Sequence, residues 1–193
     1  GGVNKAVLKN VVKDIIWLLD AKKEVIVVSS GAISLGKGKL NLKHDLTLNE
    51  SQAVAARGQI ELMTAWKNEF KKYKKQVAQV LLSPSDIKNK KSSNHAIATL
   101  ENILGFNCVP IINENDTTST DEIKFGDNDI LAAQIATLIG ADHLILLSNV
   151  DGLYKEPPKN KKNDVLVSEV RSITNSIRDM AGTASKLGKG GMI

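Results

Sequence analysis

Residues 111–133 have the sequence IINENDTTSTDEIKFGDNDILAA, in which carboxylates and amides crowd a loop between two apolar segments. The apolar run that precedes the loop, residues 108–112, predicts a buried strand. The polar residues of the loop follow neither a helical nor a strand period, so a solvated amphipathic face does not account for them. Open α/β sheets hold their ligands at polar clusters beyond the carboxyl ends of strands. The stretch therefore predicts a small-molecule site.

A second polar cluster, Gly126-Asp127-Asn128-Asp129, lies at the start of a predicted helix, residues 130–139. Asp and Asn at such a position can cap the free backbone donors of the helix. Capping explains a single residue of this kind as well as ligand binding does. It does not explain two polar clusters that bracket one loop, which favours a site.

The rest of the chain alternates helical and strand patterns. Helices are predicted at residues 5–19, from 32 to Gly36 or Gly38, at 49–73 and at 92–104, with Gly105 as a C′ stop. Strands are predicted at residues 24–29, 77–82, 109–112 and 143–147, and a turn at 83–86. This order predicts an α/β fold, a three-layer αβα sandwich with a mainly parallel central sheet. Because residues 155–163 are typical of an exposed loop, we expect a single domain over 1–193.

The net charge of +5 and the pI near 9.2 permit nucleic-acid binding without establishing it. The densest basic run is KNEFKKYKK, residues 67–75. Apolar residues recur through and before it at a helical interval: Ile60, Met63, Trp66, Phe70 and Tyr73. The lysines then fall on the solvated face of an amphipathic helix. With only 4% aromatic residues, a stacking platform is also disfavoured, so we expect no nucleic-acid partner.

The single cysteine, Cys108, lies in a strand pattern and predicts a buried, reduced thiol. Without a disulfide framework, a reducing compartment is expected. No apolar run is long enough to span a bilayer, so we expect a cytoplasmic protein without a membrane partner. The chain begins with Gly1 rather than Met, which leaves open a targeting segment upstream.

Two further stretches suit phosphate or carboxylate groups. Ser29-Ser30-Gly31-Ala32 joins a predicted strand to a helix, where backbone N–H groups and hydroxyls can face an anion. A plain strand-to-helix turn with a serine cap explains it equally well. Gly188-Lys189-Gly190-Gly191-Met192 suits close approach of backbone to phosphate, with a flexible tail as the alternative. Neither a P-loop signature nor a complete dinucleotide fingerprint is present.

Four strings together resemble the glutamate 5-kinase family of the amino-acid kinase superfamily: VVSSGAISLG, INENDTTSTDEIKFGDNDILAA, LLSNVDGLY and GKGGM. They occur in the family's order and cover nearly the whole chain, and the second is specific to glutamate 5-kinases. The resemblance implies the amino-acid kinase fold and ATP-dependent phosphorylation of the γ-carboxylate of L-glutamate, with Mg²⁺. The product, γ-glutamyl phosphate, is that of the first step of proline biosynthesis.

The resemblance also implies roles for individual residues. Ser30, Gly31 and Ala32 would receive substrate carboxylate, and Asp116 and Asn128 would hold glutamate, Asp116 through its ammonium group. Asp129 would be catalytic by orienting lysines. The nucleotide site would comprise Ser148, Asn149, Gly152, Tyr154, Lys189, Gly190, Gly191 and Met192. No metal ligand is implied in this chain. The family usually has Thr-Asp at 148–149 and Thr at 189.

By the same resemblance, one catalytic lysine and its strand would precede Gly1, and a second lysine would follow Ile193. The chain is thus expected to be a trimmed kinase domain, inactive by itself. Proline, a common inhibitor in the family, is a candidate feedback inhibitor. A homo-oligomer, dimer or tetramer, is expected, and a further domain after residue 193 is left open.

Two alternatives remain. The protein could be another kinase of the superfamily that acts on aspartate, acetylglutamate or carbamate, although the joint presence of Asp116 and Asn128 in their strings disfavours this. It could instead be a non-catalytic amino-acid sensor or a basic nucleic-acid-associated protein. Strongly salt-dependent binding would favour the last of these.

Overall fold

The computed structural model describes residues 2–118, 128–148, 151–155 and 165–180. The chain divides into two units, Gly1–Asp142 and His143–Ile193, each of which is described by itself. The first contains a parallel sheet, and the described part of the second contains a short antiparallel bridge and one helix.

Three parallel strands form the sheet of the first unit. They are β1 (Val27–Val28), β2 (Gln76–Leu82) and β3 (Cys108–Glu114), in the order β1-β3-β2. Val27 aligns with Ile111 and Gln76 with Cys108. The free thiol of Cys108 is half-buried, and this burial raises its pKa. The predicted parallel sheet is confirmed, although β1 is shorter than the predicted strand.

The helices follow the predicted positions closely. They are α1 (Lys5–Asp20), α2 (Ala32–Lys39), α3 (Leu48–Lys71), α4 (Pro84–Lys88), α5 (Lys90–Gly105), α6 (Asn128–Ile139) and α7 (Asn175–Met180), the last in the second unit. Among the residues that the structure describes, no helix has both the length and the apolarity needed to cross a membrane.

Helices cover both faces of the sheet, and a separate apolar core lies under each layer. On one face, α1 and α3 pack against the sheet through a cluster that includes Val12, Phe70 and Ile111. On the other face, α5 and α6 contribute Leu100 and Ile135, which pack with the strand residue Ile112. Successive residues of β3 thus enter opposite cores, as expected for a strand covered on both sides. The three-layer α/β prediction is confirmed.

Local corrections concern caps and element ends. Residues 83–86 are not an open turn but begin α4, because Ser83 and Asp86 form a reciprocal capping box. Gly105 is the last helical residue of α5 rather than its C′ stop, and Asn107 takes the left-handed conformation, with φ 55°. Ile60 is 62% exposed, so it lies off the buried face of α3, which includes Val54, Leu62, Trp66 and Phe70.

The predicted strand at residues 143–147 is wrong for this structure. These residues have no regular secondary structure, and Ile145 and Leu147 are 71% and 72% exposed. A strand depends on backbone partners as well as on apolar side chains. No described residue pairs with this segment as a neighbouring strand.

Helices α2 and α3 approach each other so closely that glycine is required on both. A Cβ atom built on Gly58 would lie 1.7 Å from the carbonyl oxygen of Ala32, and one on Gly36 would lie 2.0 Å from that of Val54. Both partners are backbone atoms, which cannot rotate away as a side chain can. Because α2 starts directly after β1, this contact fixes where the connection between them runs.

We predict that Gly58→Ala lowers the free energy of unfolding by about 2 kcal/mol or more, since overpacking normally costs about 1–3 kcal/mol. The matched control is Gly105→Ala, where the added Cβ meets nothing within 4 Å. In a helix that control should be neutral or stabilising by up to about 1 kcal/mol. Urea unfolding followed by circular dichroism measures both. A Gly58→Ala variant as stable as the parent would contradict the close contact.

Candidate functional site

A polar network joins the carboxyl ends of two strands to the start of a helix. The Nδ2 group of Asn128, the first residue of α6, donates to the carbonyl oxygen of Ser29 at 2.9 Å and to Oδ1 of Asn113 at 2.8 Å. Ser29 follows β1 and donates its backbone N–H to the oxygen of Ile112 at 2.8 Å. Parallel strands end at one edge of their sheet, so β1, β3 and α6 meet there.

Helix α3 holds this network from one side. Nε1 of Trp66 donates to Oγ of Ser29 at 3.0 Å, and Oε1 of Gln59 accepts from Nδ2 of Asn113 at 2.8 Å. Gln59 and Trp66 lie about two helical turns apart, and therefore on the same face of α3. One rigid helix thus positions both the end of β1 and the end of β3.

The predicted anion turn, residues 30–32, follows Ser29 at this edge. Ser30 and Gly31 are exposed, whereas Ala32 is buried against α3. Gly31 has φ +106°, in the left-handed region that favours glycine, and it provides no side-chain cap for α2. The first N–H groups of α2 therefore have no side chain from Gly31 as a partner, which suits a bound carboxylate or phosphate.

Asp116 follows β3 in a short 3₁₀ turn, Asp116–Thr118. The turn is anchored because the N–H of Asn115 donates to the carbonyl oxygen of Leu82 at 3.0 Å. Asp116 is half-buried, and this burial, together with the negative charge of Glu114, raises its pKa to about 6. A carboxylate in such surroundings gains from a nearby cation, so an ammonium group is the ligand chemistry that it fits.

A groove of about 250 Å³ runs over α3 and the edge strand β2 and ends at Asp116. Its apolar side is formed by Ala55, Ala56, Ile60 and Leu81, and its polar side by Gln59, Gln79, Glu114, Asn115, Asp116 and Thr117. Two of its carboxylates, Glu114 and Asp116, are withdrawn from solvent, which makes its polar end acidic.

The remaining predicted site residues fall into three groups. Asp129 is half-buried in the first turn of α6, next to Asn128. In the second unit, the hydroxyl of Tyr154 donates to Oδ2 of Asp151 at 3.1 Å, and the backbone of Tyr154 forms an antiparallel β-bridge with Leu166. Gly152 has φ +150°, and Ser148 is exposed. Asn149, Lys189, Gly190, Gly191 and Met192 lie outside the described residues.

The sequence analysis missed Gln59 and Trp66, and it gave no individual role to Ser29 or Asn113, although both lie in stretches that it predicted to bind a ligand. Gln59 carried the clearest missed signal, because it is a polar residue between Ala55 and Leu62 on the buried side of a helix. A buried amide of this kind normally has a hydrogen-bonding reason for its position.

The fold is that of an α/β domain with a polar cluster where its parallel strands end, the place at which such folds hold their ligands. The sequence profile of the amino acid kinase family matches residues 2–193. The chain therefore belongs to the amino acid kinase family.

Three similar proteins are all named glutamate 5-kinase. The chain is 46% identical over 192 residues to glutamate 5-kinase of Pelagibacter ubique, covering 98% of this chain and 52% of the relative. It is 46% identical over 194 residues to glutamate 5-kinase of Roseobacter denitrificans, with 100% and 52% covered. For the enzyme of Brucella ovis the identity is 47% over 193 residues, with 99% and 51% covered. The chain spans about half the length of these relatives.

We predict that Asp116→Asn raises the melting temperature at pH 8 and changes it little near pH 4. The folded-state pKa of about 6 exceeds the ordinary value of 3.8, so the ionised carboxylate destabilises the fold fully above about pH 6. The cost fades as the pH falls from 6 towards 3.8. Thermal unfolding across this range checks the prediction, with the exposed Asp45→Asn as control. A lower melting temperature for Asp116→Asn at pH 8 would contradict it.

Proposed function

We propose that the protein transfers the γ-phosphoryl group of ATP to the γ-carboxylate of L-glutamate, giving γ-glutamyl phosphate, the first step of proline biosynthesis. The identity of 46–47% to glutamate 5-kinases over nearly the whole chain supports this activity. The structural observation that carries the proposal is the position of Asn128, which is hydrogen-bonded between the ends of β1 and β3 beside the exposed Gly31 turn.

The proposed reaction needs no strong base in the protein. At neutral pH the γ-carboxylate of glutamate is already ionised, so its oxygen can attack the γ-phosphorus directly. The new O–P bond forms as the bond from phosphorus to the β,γ-bridging oxygen breaks, and ADP leaves. The protein must hold two anions together and offset the charge on the transferring group.

The described edge offers a group for each part of glutamate. Asp116 pairs with the ammonium group, because burial and Glu114 make its surroundings favour a cation. Ser30, Gly31 and Ala32, at the uncapped start of α2, receive a carboxylate, and Asn128 fixes the molecule between them. Asp129, in the first turn of α6, orients the cations that meet the transferring phosphoryl group.

ATP is proposed to contact Ser148, Gly152 and Tyr154, together with Asn149, Lys189, Gly190, Gly191 and Met192. Mg²⁺ would enter with the nucleotide and be held mainly by its phosphates, as is usual for this ion. We further propose a cytoplasmic homo-oligomer that is inhibited by proline and acts on small molecules. The exposed lysines at the end of α3 then serve as a solvated face rather than as a nucleic-acid patch.

A coupled ADP-release assay with Mg-ATP and a panel of amino acids tests the proposal on the protein at its full natural length. Hydroxylamine traps any acyl phosphate as a hydroxamate. Glutamate-dependent hydroxamate, with none from aspartate or acetylglutamate, is the expected result. ADP release with a different acceptor would overturn the substrate, and no turnover with any acceptor would favour a binding protein.

Asp116→Ala should raise the KM for glutamate at least about tenfold, because the ammonium group loses its charged partner. The KM for ATP should change less than about twofold. Asp45→Ala, at an exposed position, is the matched control. Equal increases in both KM values would contradict the assignment of Asp116 to glutamate.

Asp129→Asn should lower kcat by about 100-fold, since the proposed role of Asp129 is to orient groups that act in the transition state. Steady-state kinetics with saturating glutamate and ATP measures this effect. A change confined to KM would be inconsistent with that role.

A further inference from the structure

Asn128, Asn113 and Gln59 form an amide network, and the direction of each of its hydrogen bonds follows from the backbone carbonyl of Ser29. The oxygen of Ser29 can only accept, so the group of Asn128 that faces it at 2.9 Å must be Nδ2. The second hydrogen of Nδ2 points to Asn113, which must therefore present Oδ1 to Asn128, at 2.8 Å. Asn113 is left with Nδ2 for Gln59, and Gln59 must present Oε1.

This order has a consequence at each end of the network. At the ligand end, both N–H bonds of the Asn128 amide are used by the protein, which leaves Oδ1 for a ligand. At the other end, Nε2 of Gln59 is buried and has no hydrogen-bond partner among the described residues. Gln59 is only 7% exposed, so it bears the cost of a buried donor that no described residue pairs.

We infer that Gln59 is a positioning residue for Asn128, acting through Asn113. Without the Gln59 oxygen, the amide of Asn113 loses the acceptor of its Nδ2 and is held in its present orientation only by the bond from Asn128. It is then freer to rotate, and each rotation takes Oδ1 away from Nδ2 of Asn128 and loosens the amide of Asn128 in turn. The inference rests on the proposed function, in which Asn128 holds glutamate, and it implies that Asn128 accepts a hydrogen bond from the substrate.

The test is a double-mutant cycle between Gln59→Met and Asn128→Ala in the full-length protein. Methionine keeps the length of the side chain and removes its amide. In the wild-type background, Gln59→Met should raise the KM for glutamate about tenfold and that for ATP less than about twofold. In the Asn128→Ala background, the same substitution should change the KM for glutamate less than about twofold, because its effect passes through Asn128. Gln76→Met, at an exposed position at the start of β2 and outside the groove, is the matched control.

A readout that does not depend on the substrate accompanies the kinetics. In protein labelled with ¹⁵N-asparagine, the side-chain N–H groups of Asn128 should exchange with solvent faster in Gln59→Met than in wild type, whereas Gln76→Met leaves them unchanged. If wild type forms no glutamate hydroxamate, the proposed function fails, and this exchange measurement still decides the role of Gln59. If Gln59→Met does not fold, Asn113→Ala cuts the network one step closer to Asn128 and should show the same pattern.

Either of two results would overturn the inference: an undiminished KM effect in the Asn128→Ala background, or unchanged exchange at Asn128 in a folded Gln59 or Asn113 variant. Equal effects on the KM values for glutamate and ATP would also overturn it, since they would indicate general damage to the fold.

Discussion

The candidate ligand edge is the end of the sheet where β1 and β3 meet the Gly31 turn and Asn128 of α6. Its geometry depends on the close contact of α2 with α3. Gly36 and Gly58 allow two backbones to approach within a distance that any Cβ atom would prevent. Gln59 and Trp66 lie on α3 and hold the ends of β3 and β1. Helix α2, which packs against α3, begins at the Gly31 turn. The spacing between the anion turn and the amide network is therefore set by backbone packing rather than by flexible side chains.

The charges of the edge are arranged for a zwitterion. Asp116 is half-buried beside the buried Glu114, which disfavours its ionised form, while the start of α2 presents backbone donors. The acidic end thus favours an ammonium group, and the helix start favours a carboxylate. A ligand that carries both would relieve the unfavourable burial of Asp116 as it binds. This agrees with the amino-acid substrate that we propose.

Patterns along the chain predicted the core elements well, because buried strands and amphipathic helices have periods that are visible in any short window. The runs that became β2 and β3, and the long helix α3, are examples. The pattern failed where structure depends on distant partners. The segment 143–147 has the composition of a strand, but no strand among the described residues pairs with it. Gln59 joins the site only because Asn113, 54 residues later, lies near the end of a strand opposite it. The roles of Asp116 and Asn128 came from resemblance to a family, since a carboxylate or an amide in a loop has no period to interpret.

The parallel sheet also orders events during synthesis. Every pair of neighbouring strands requires a crossover, and β1 pairs with a strand roughly 80 residues further along the chain, a separation that slows folding. At about 5–20 residues per second, a ribosome needs on the order of 4–16 s to make that segment. During this interval β1 is an unpaired apolar strand. The hydrogen bond from Asn128 to Ser29 spans 99 residues, so the ligand edge is completed later still, after every residue of the core between α1, α3 and the sheet has been made.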